Sequence, residues 1–212
     1  SGGGNLVSDV TLASTAKLKK SSGTGDILGT FTFNHIDSTL EIDGTTTLTT
    51  LTPTEGGNLV LNAALTVTNG FSVPTSKTLD YSGAFNLTPT IAIAGTLKKS
   101  AGTGAITGTL TFSAAASTLD IDVATSVSSL ILSTTGGTID IATGVTFAHA
   151  GFNIGVGTLT IKGGGTYNNS SIIYLNNPSS ILSLDGVTVA SVTQSAAANT
   201  GSIKVINNDA II

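Results

Sequence analysis

The stretch "STLDIDVATSVSSLILSTTGGTIDIATG", residues 117–144, holds two short strings, "TLDID" and "TIDIA", set 20 residues apart. In each, apolar residues flank an acid: Leu119 and Ile121 around Asp120, Ile139 and Ile141 around Asp140. Alternation with period two is the signature of a strand with one buried face. Outward from here the same paired spacing recurs at Leu40/Ile42, Leu59/Leu61 and Leu79/Tyr81, then at Leu159/Ile161, Leu182/Leu184 and Ile203/Val205. The steps cluster near ~20 residues, and a fixed period of this size with strand alternation predicts a β-solenoid.

Within one period the apolar runs at 118–122, 127–132 and 138–142, continued at 145–148 and 152–155, are separated by small or turn-forming residues. The expected fold is therefore all-β: one parallel β-helix over residues 1–212, with about ten turns of ~20 residues and three short strands in each. Uneven insertions favour the right-handed form over the strict hexapeptide rhythm of the left-handed one. Helix is excluded by the lack of any apolar spacing at 3.6 and by the dominance of Thr, Gly and β-branched residues. Gly56/Gly57, Gly136/Gly137 and 163–165 read as corners, as do the Asn pairs 168–169 and 176–177.

A longer repeat contains the short one. "LKKSSGTGDILGTFTF" (18–33) returns as "LKKSAGTGAITGTLTF" (97–112), and "STLEID" (38–43) as "STLDID" (117–122), all at an offset of 79. At "GGNLVL" (56–61) and "GGTIDI" (136–141) the offset becomes 80. The duplicated blocks run from about 16 to 73 and from about 95 to 154, so a whole structural block has been copied.

Composition narrows the function. Only 9% of residues are charged and the net charge is −4, with eight lysines and no arginine. A face able to neutralise phosphates is missing, so nucleic acid is not an expected partner. Absence of Cys removes disulfide and thiolate chemistry. Uncharged runs such as 141–161 are interrupted by Gly, Thr, Asn and His, so no membrane span is expected.

Strings such as "GTLTIKGGGTYNN" (157–169) and "STLDID" resemble rungs of bacterial surface β-helices, the autotransporter passengers and filamentous-haemagglutinin-like adhesins. The resemblance covers about residues 12–205. It implies a secreted, cell-surface protein with a structural or adhesive role.

No motif specifies chemistry. In "LKKSxGTG" the lysines precede the glycines, the reverse of a phosphate-binding Walker loop, and the stretch reads as an exposed loop copied with its block. Asp120 and Asp140 are expected to stack one strand apart at outward positions, where they form a weak candidate metal site, with Thr160 on the next rung. His35 and His149 stand alone, without a second ligand at metal spacing, and His149, which lies where the copied block has Asn69, reads as a polar corner or groove residue. Outward Thr-x-Thr pairs raise the possibility of an ice-binding face, but aligning Thr158/Thr160 with Thr138/Asp140 and Thr118/Asp120 breaks that row with charge. Tyr81, Tyr167 and Tyr174 are candidates for a glycan groove. No catalytic residue and no cofactor is assigned, and the chain is not expected to be an enzyme.

The ends complete the expectation. Isolated solenoids carry polar or helical caps over their first and last turns, and neither is evident here. The apolar residues Leu6, Val7, Val10 and Leu12 at one end, with Ile203, Val205, Ile206, Ile211 and Ile212 at the other, are candidate self-assembly surfaces. The expected function is an extracellular structural protein that forms or extends a cell-surface filament by head-to-tail stacking. Alternatives are a glycan-binding adhesin module, an ice-binding protein, or a polysaccharide-cleaving β-helix enzyme.

Overall fold

The computed structural model describes residues 4–132, 136–150, 152–194 and 201–206. It is all-β, with parallel strands stacked as a β-solenoid of about nine turns. One face is a single ten-stranded sheet. Its strands, in spatial and chain order, are Lys17–Lys20, Thr39–Ile42, Gly57–Leu61, Thr78–Gly83, Thr96–Lys99, Thr118–Ile121, Gly136–Ile141, Gly157–Gly163, Ser180–Asp185 and Ser202–Ile206. The other side of each turn runs either as two short strands, such as Leu65–Val67 and Phe71–Val73, or as one longer strand, such as Ile27–Phe33.

Side chains alternate in and out along most strands of the long sheet, as in Thr118–Ile121 and Gly136–Ile141, and the inward set forms one core. In the ten-stranded sheet the inward row Leu79, Leu97, Leu119, Ile139, Ile161, Leu184 and Val205 runs unbroken through seven strands. Stacking of like on like at ~4.8 Å is what a parallel ladder imposes. From Leu79 to Ile161 every member of that row is fully buried.

The register corrects the sequence reading in two places. Tyr81 pairs with Leu59 and Leu79 with Gly57, and Ile139 pairs with Ile161 while Leu159 pairs with Gly137. Both are slips of two residues from the expected alignment. A two-residue slip keeps every side chain on its own face, so the apolar pattern cannot detect it. The rung Thr96–Lys99, which overlaps the expected "LKKSxGTG" loop, is a strand instead. Period two places Leu97 and Lys99 inward and Lys98 outward, and all three belong to a strand.

Corners follow local chemistry. Ser38, Ser117 and Ser180 each stand immediately before or at the start of a strand of the long sheet and are fully buried. Ser38 Oγ and Ser117 Oγ donate across their own corners, to His35 O and Ala114 O, each at 2.6 Å, and Ser180 Oγ donates to Ile154 O of the preceding turn at 2.9 Å. A buried hydroxyl without such a partner costs ~1–3 kcal/mol. Gly56 and Gly57 turn with φ of +89° and +142°, as expected of a corner. Of the two Asn pairs, residues 176–177 lie at a corner, but 168–169 lie inside the strand Thr166–Leu175.

Candidate functional site

The outer face of the long sheet carries two parallel rows. One is Thr78, Thr96, Thr118, Thr138 and Thr160, followed by Ser183, in continuous register. The expected interruption of this row by Asp140 and Asp120 does not occur, because Thr160 stacks on Thr138. The charges form the neighbouring row instead: Asp80, Lys98, Asp120, Asp140, Lys162 and Asp185. On this sheet the threonine row is therefore not part of a charge-free Thr-x-Thr face, since every threonine of it has an ionisable neighbour two residues on.

Asp120 and Asp140 do occupy adjacent rungs, as expected. Lys162, not Thr160, lies on the rung after Asp140. Each acid is held by a lysine. Lys98 bridges Asp120 at 2.7 Å and Asp122 at 2.5 Å, and Lys162 lies 3.1 Å from Asp140. A carboxylate pair already neutralised in this way is a poor cation site. Among the described residues no group of three or more His, Asp or Glu is placed to hold a metal.

The copied block carries a copied ion-pair fork. Lys19 reaches Glu41, at 2.7 Å, and Asp43, as Lys98 reaches Asp120 and Asp122. Lys17 adds a second cation to Glu41. Bonds from Lys17 and then Lys19 hold the Glu41 carboxyl below its ordinary range, and Lys19 and Asn62 do the same for Asp43. At Lys98 burial pulls toward the neutral amine, but the bonds from Asp120 and Asp122 overcome it and raise the pKa. The fork spans one strand spacing and ties consecutive turns together on the outside of the sheet.

The second lysine of each repeat points the other way. Lys20 Nζ donates to Ser21 O at 3.1 Å and Gly23 O at 3.0 Å, closing the turn that follows it. Lys99 does the same through Ala101 O, but it is fully buried, with Nζ 4.0 Å from the centroid of the Tyr81 ring. Desolvation lowers its pKa to about 8, against a smaller opposing effect of Asp80. The doubled "LKKS" is therefore a strand and its turn staple, not a ligand loop.

Two of the three candidate tyrosines lie in the core. Tyr81 and Tyr167 are fully buried. Tyr81 donates its hydroxyl to Phe85 O, and burial pushes its pKa up to about 12. His149 is also internal, at 1% exposure, correcting its reading as a groove residue. Its ring lies 3.5 Å from that of Phe152 at 5°, and its Nε2 is 2.6 Å from the Tyr167 hydroxyl. Phe147 completes the stack. The period-two spacing of Phe147 and His149 in "TFAH" (146–149) held the signal for this burial. His35 is half-buried at a corner, where its Nδ1 accepts from Asp37 N at 3.2 Å.

Tyr174 alone of the three is exposed, at 43%. At the ends, Leu6 and Val7 are exposed, Val10 and Ile203 are partly buried against the core, and Leu12 is buried. Val205 is 40% exposed on the last strand of the long sheet, which ends at Ile206. Ile211 and Ile212 lie outside the described residues. Among the described residues no helix is long and apolar enough to cross a membrane. No protein-family model, no curated protein and no solved structure matches the chain.

Proposed function

We propose that the chain is an extracellular structural protein, a β-solenoid segment that forms or extends a cell-surface filament, with a mechanical rather than a catalytic role. The observation that carries this reading is the ten-stranded parallel sheet, which keeps one register from Lys17 to Ile206. Ten strands at ~4.8 Å per step make a rod about 43 Å long, stiffened by a continuous ladder and a continuous core. The low charge, the Thr- and Ser-rich outer surface and the resemblance to surface β-helices support an extracellular setting.

Growth by stacking is supported at the edges. Among the described residues, Lys17–Lys20 and Ser202–Ile206 each pair on one side only. Among the described residues, each edge has no partner strand on its outer side and lies beside exposed apolar residues, Leu6 and Val7 at one end and Val205 at the other. A further parallel strand fits either edge, and a second copy of this chain supplies one.

The test is negative-stain microscopy with light scattering across a concentration series, on the wild type and on Val7→Glu. Unbranched filaments from the wild type, suppressed by Val7→Glu, are the expected result. A wild type that stays monomeric at every concentration overturns assembly by stacking of this chain alone.

A further inference from the structure

The side of the solenoid opposite the long sheet contains a groove of about 310 Å³, formed where three strands lose their even spacing. Thr125–Leu132 pairs first with Thr146–His149 and then with Phe152–Ile154. On the next turn His149 pairs with Asn169, twenty residues on, whereas Phe152 pairs with Ile173, twenty-one on. The strand Thr166–Leu175 therefore carries one extra residue, and a bulge of this kind bends a strand and re-aims its side chains. Ile172 and Tyr174 emerge there at 36% and 43% exposure, with Ile131 at 37% two turns below.

The groove has a polar as well as an apolar wall. Ile131, Asn153 and Tyr174 stand in one row on three successive strands. Asn176 Nδ2 donates to Asn153 Oδ1 at 2.7 Å, which leaves the Asn153 amide hydrogens to donate outward. Ser128 and Ser129, on the same strand as Ile131, also line it. Among the described residues no charged side chain lines the groove.

We propose that this groove binds a neutral oligosaccharide, with one pyranose ring against the Tyr174 ring and hydroxyls hydrogen-bonded to Asn153 and to Ser128 or Ser129. The chemistry selects this ligand class. An exposed ring between aliphatic side chains takes the apolar face of a sugar, and a fixed amide with two hydroxyls reads its polar edge. The absence of charge in the lining disfavours uronates and phosphates, and three rungs at ~4.8 Å give room for a short run of rings but not for a protein interface. This site stands on its own geometry and does not depend on filament formation.

Calorimetric titration of the whole chain with cellohexaose, laminarihexaose and chitohexaose, and with a hexuronate oligomer as charged control, tests it. The expected result is saturable binding of at least one neutral probe, weakened about tenfold or more by Tyr174→Ala and kept within about threefold by Tyr174→Phe. Asn153→Ala weakens it about fivefold. Phe85→Ala, which removes the exposed ring elsewhere on the surface, leaves it unchanged. Circular dichroism establishes that each variant is folded. No saturable binding of any neutral probe, or binding indifferent to Tyr174→Ala, overturns the proposal, as does preference for the uronate.

Discussion

Lys99 shows how a single residue can sit against the pattern that places it. The inward row of its rung runs from Tyr81 to Ile121, and a lysine fills the slot between them. Burial costs a charge dearly unless it is paired, and Lys99 has backbone carbonyls and the Tyr81 ring rather than a carboxylate. Its amine accordingly titrates at about 8 in the folded chain, against ~10.4 when unfolded. Between those values the unfolded chain binds more protons, so stability rises as pH increases from about 8 to about 10.4 and is flat with respect to this group outside that window. Thermal melts at pH 7 and pH 10 read this directly. Lys99→Met, which keeps the length and removes the charge, is expected to raise Tm at pH 7 and to erase that rise. A lower Tm for Lys99→Met at pH 7 would show that the turn staple to Ala101 outweighs the desolvation. From sequence the inward position of Lys99 was available through period two, but a lysine in a Gly-Ser-rich setting reads as surface, and that misreading also concealed a whole rung.

At the scale of strands and corners, the 79-residue duplication is a copy of fittings as much as of strands. The Lys fork is repeated, as is the buried corner serine at 38 and 117. The irregularity between Ile27 and Thr30 recurs between Ile106 and Thr109. Thr46 and Thr125 each donate to the carbonyl of a glycine one turn back, Gly25 and Gly104. The copied glycines Gly57 and Gly137 lie under the copied rings Phe33 and Phe112, where an added Cβ would overlap the ring. Gly57 also turns with positive φ, but Gly137 does not, so Gly137→Ala isolates the packing effect. It is expected to destabilise by ~1–3 kcal/mol through overpacking. In the double variant with Phe112→Leu the two changes should cost less than their sum, because the smaller side chain vacates the space. Additive costs in denaturant melts would show that the Phe112 ring is not what Gly137 accommodates. Strands, their facing and the duplication were legible in the sequence because each leaves a local pattern. Register across the corners was not, since a two-residue slip preserves facing and the corner that sets it is read only in three dimensions. The same limit explains why the threonine row looked broken by charge, and why Tyr81 and Tyr167 looked available to a ligand while their alternation placed them inside.

For the whole molecule, the consequence of this topology is that every strand of the long sheet answers only to the turns above and below it. Stability in such a stack is a sum of turn and interface contributions, closer to a one-dimensional chain than to a globular core. A lesion at the middle should therefore spread by neighbours. Asp120 sits inside Thr118–Ile121, the sixth of ten strands, where proline removes a ladder hydrogen bond that a central strand requires. Asp120→Pro is expected to lower hydrogen-exchange protection most in Thr96–Lys99, Thr118–Ile121 and Gly136–Ile141. The strands Thr39–Ile42 and Ser180–Asp185, several turns away, should keep most of theirs. Asp120→Ala, which loses the Lys98 pair but not the backbone bond, is the control, and its effect should be small because the pair is partly exposed. Uniform loss of protection along the whole chain in Asp120→Pro would instead mean that the stack unfolds as one unit. In that case the rod's stiffness would come from long-range cooperativity and not from the sum of neighbouring turns.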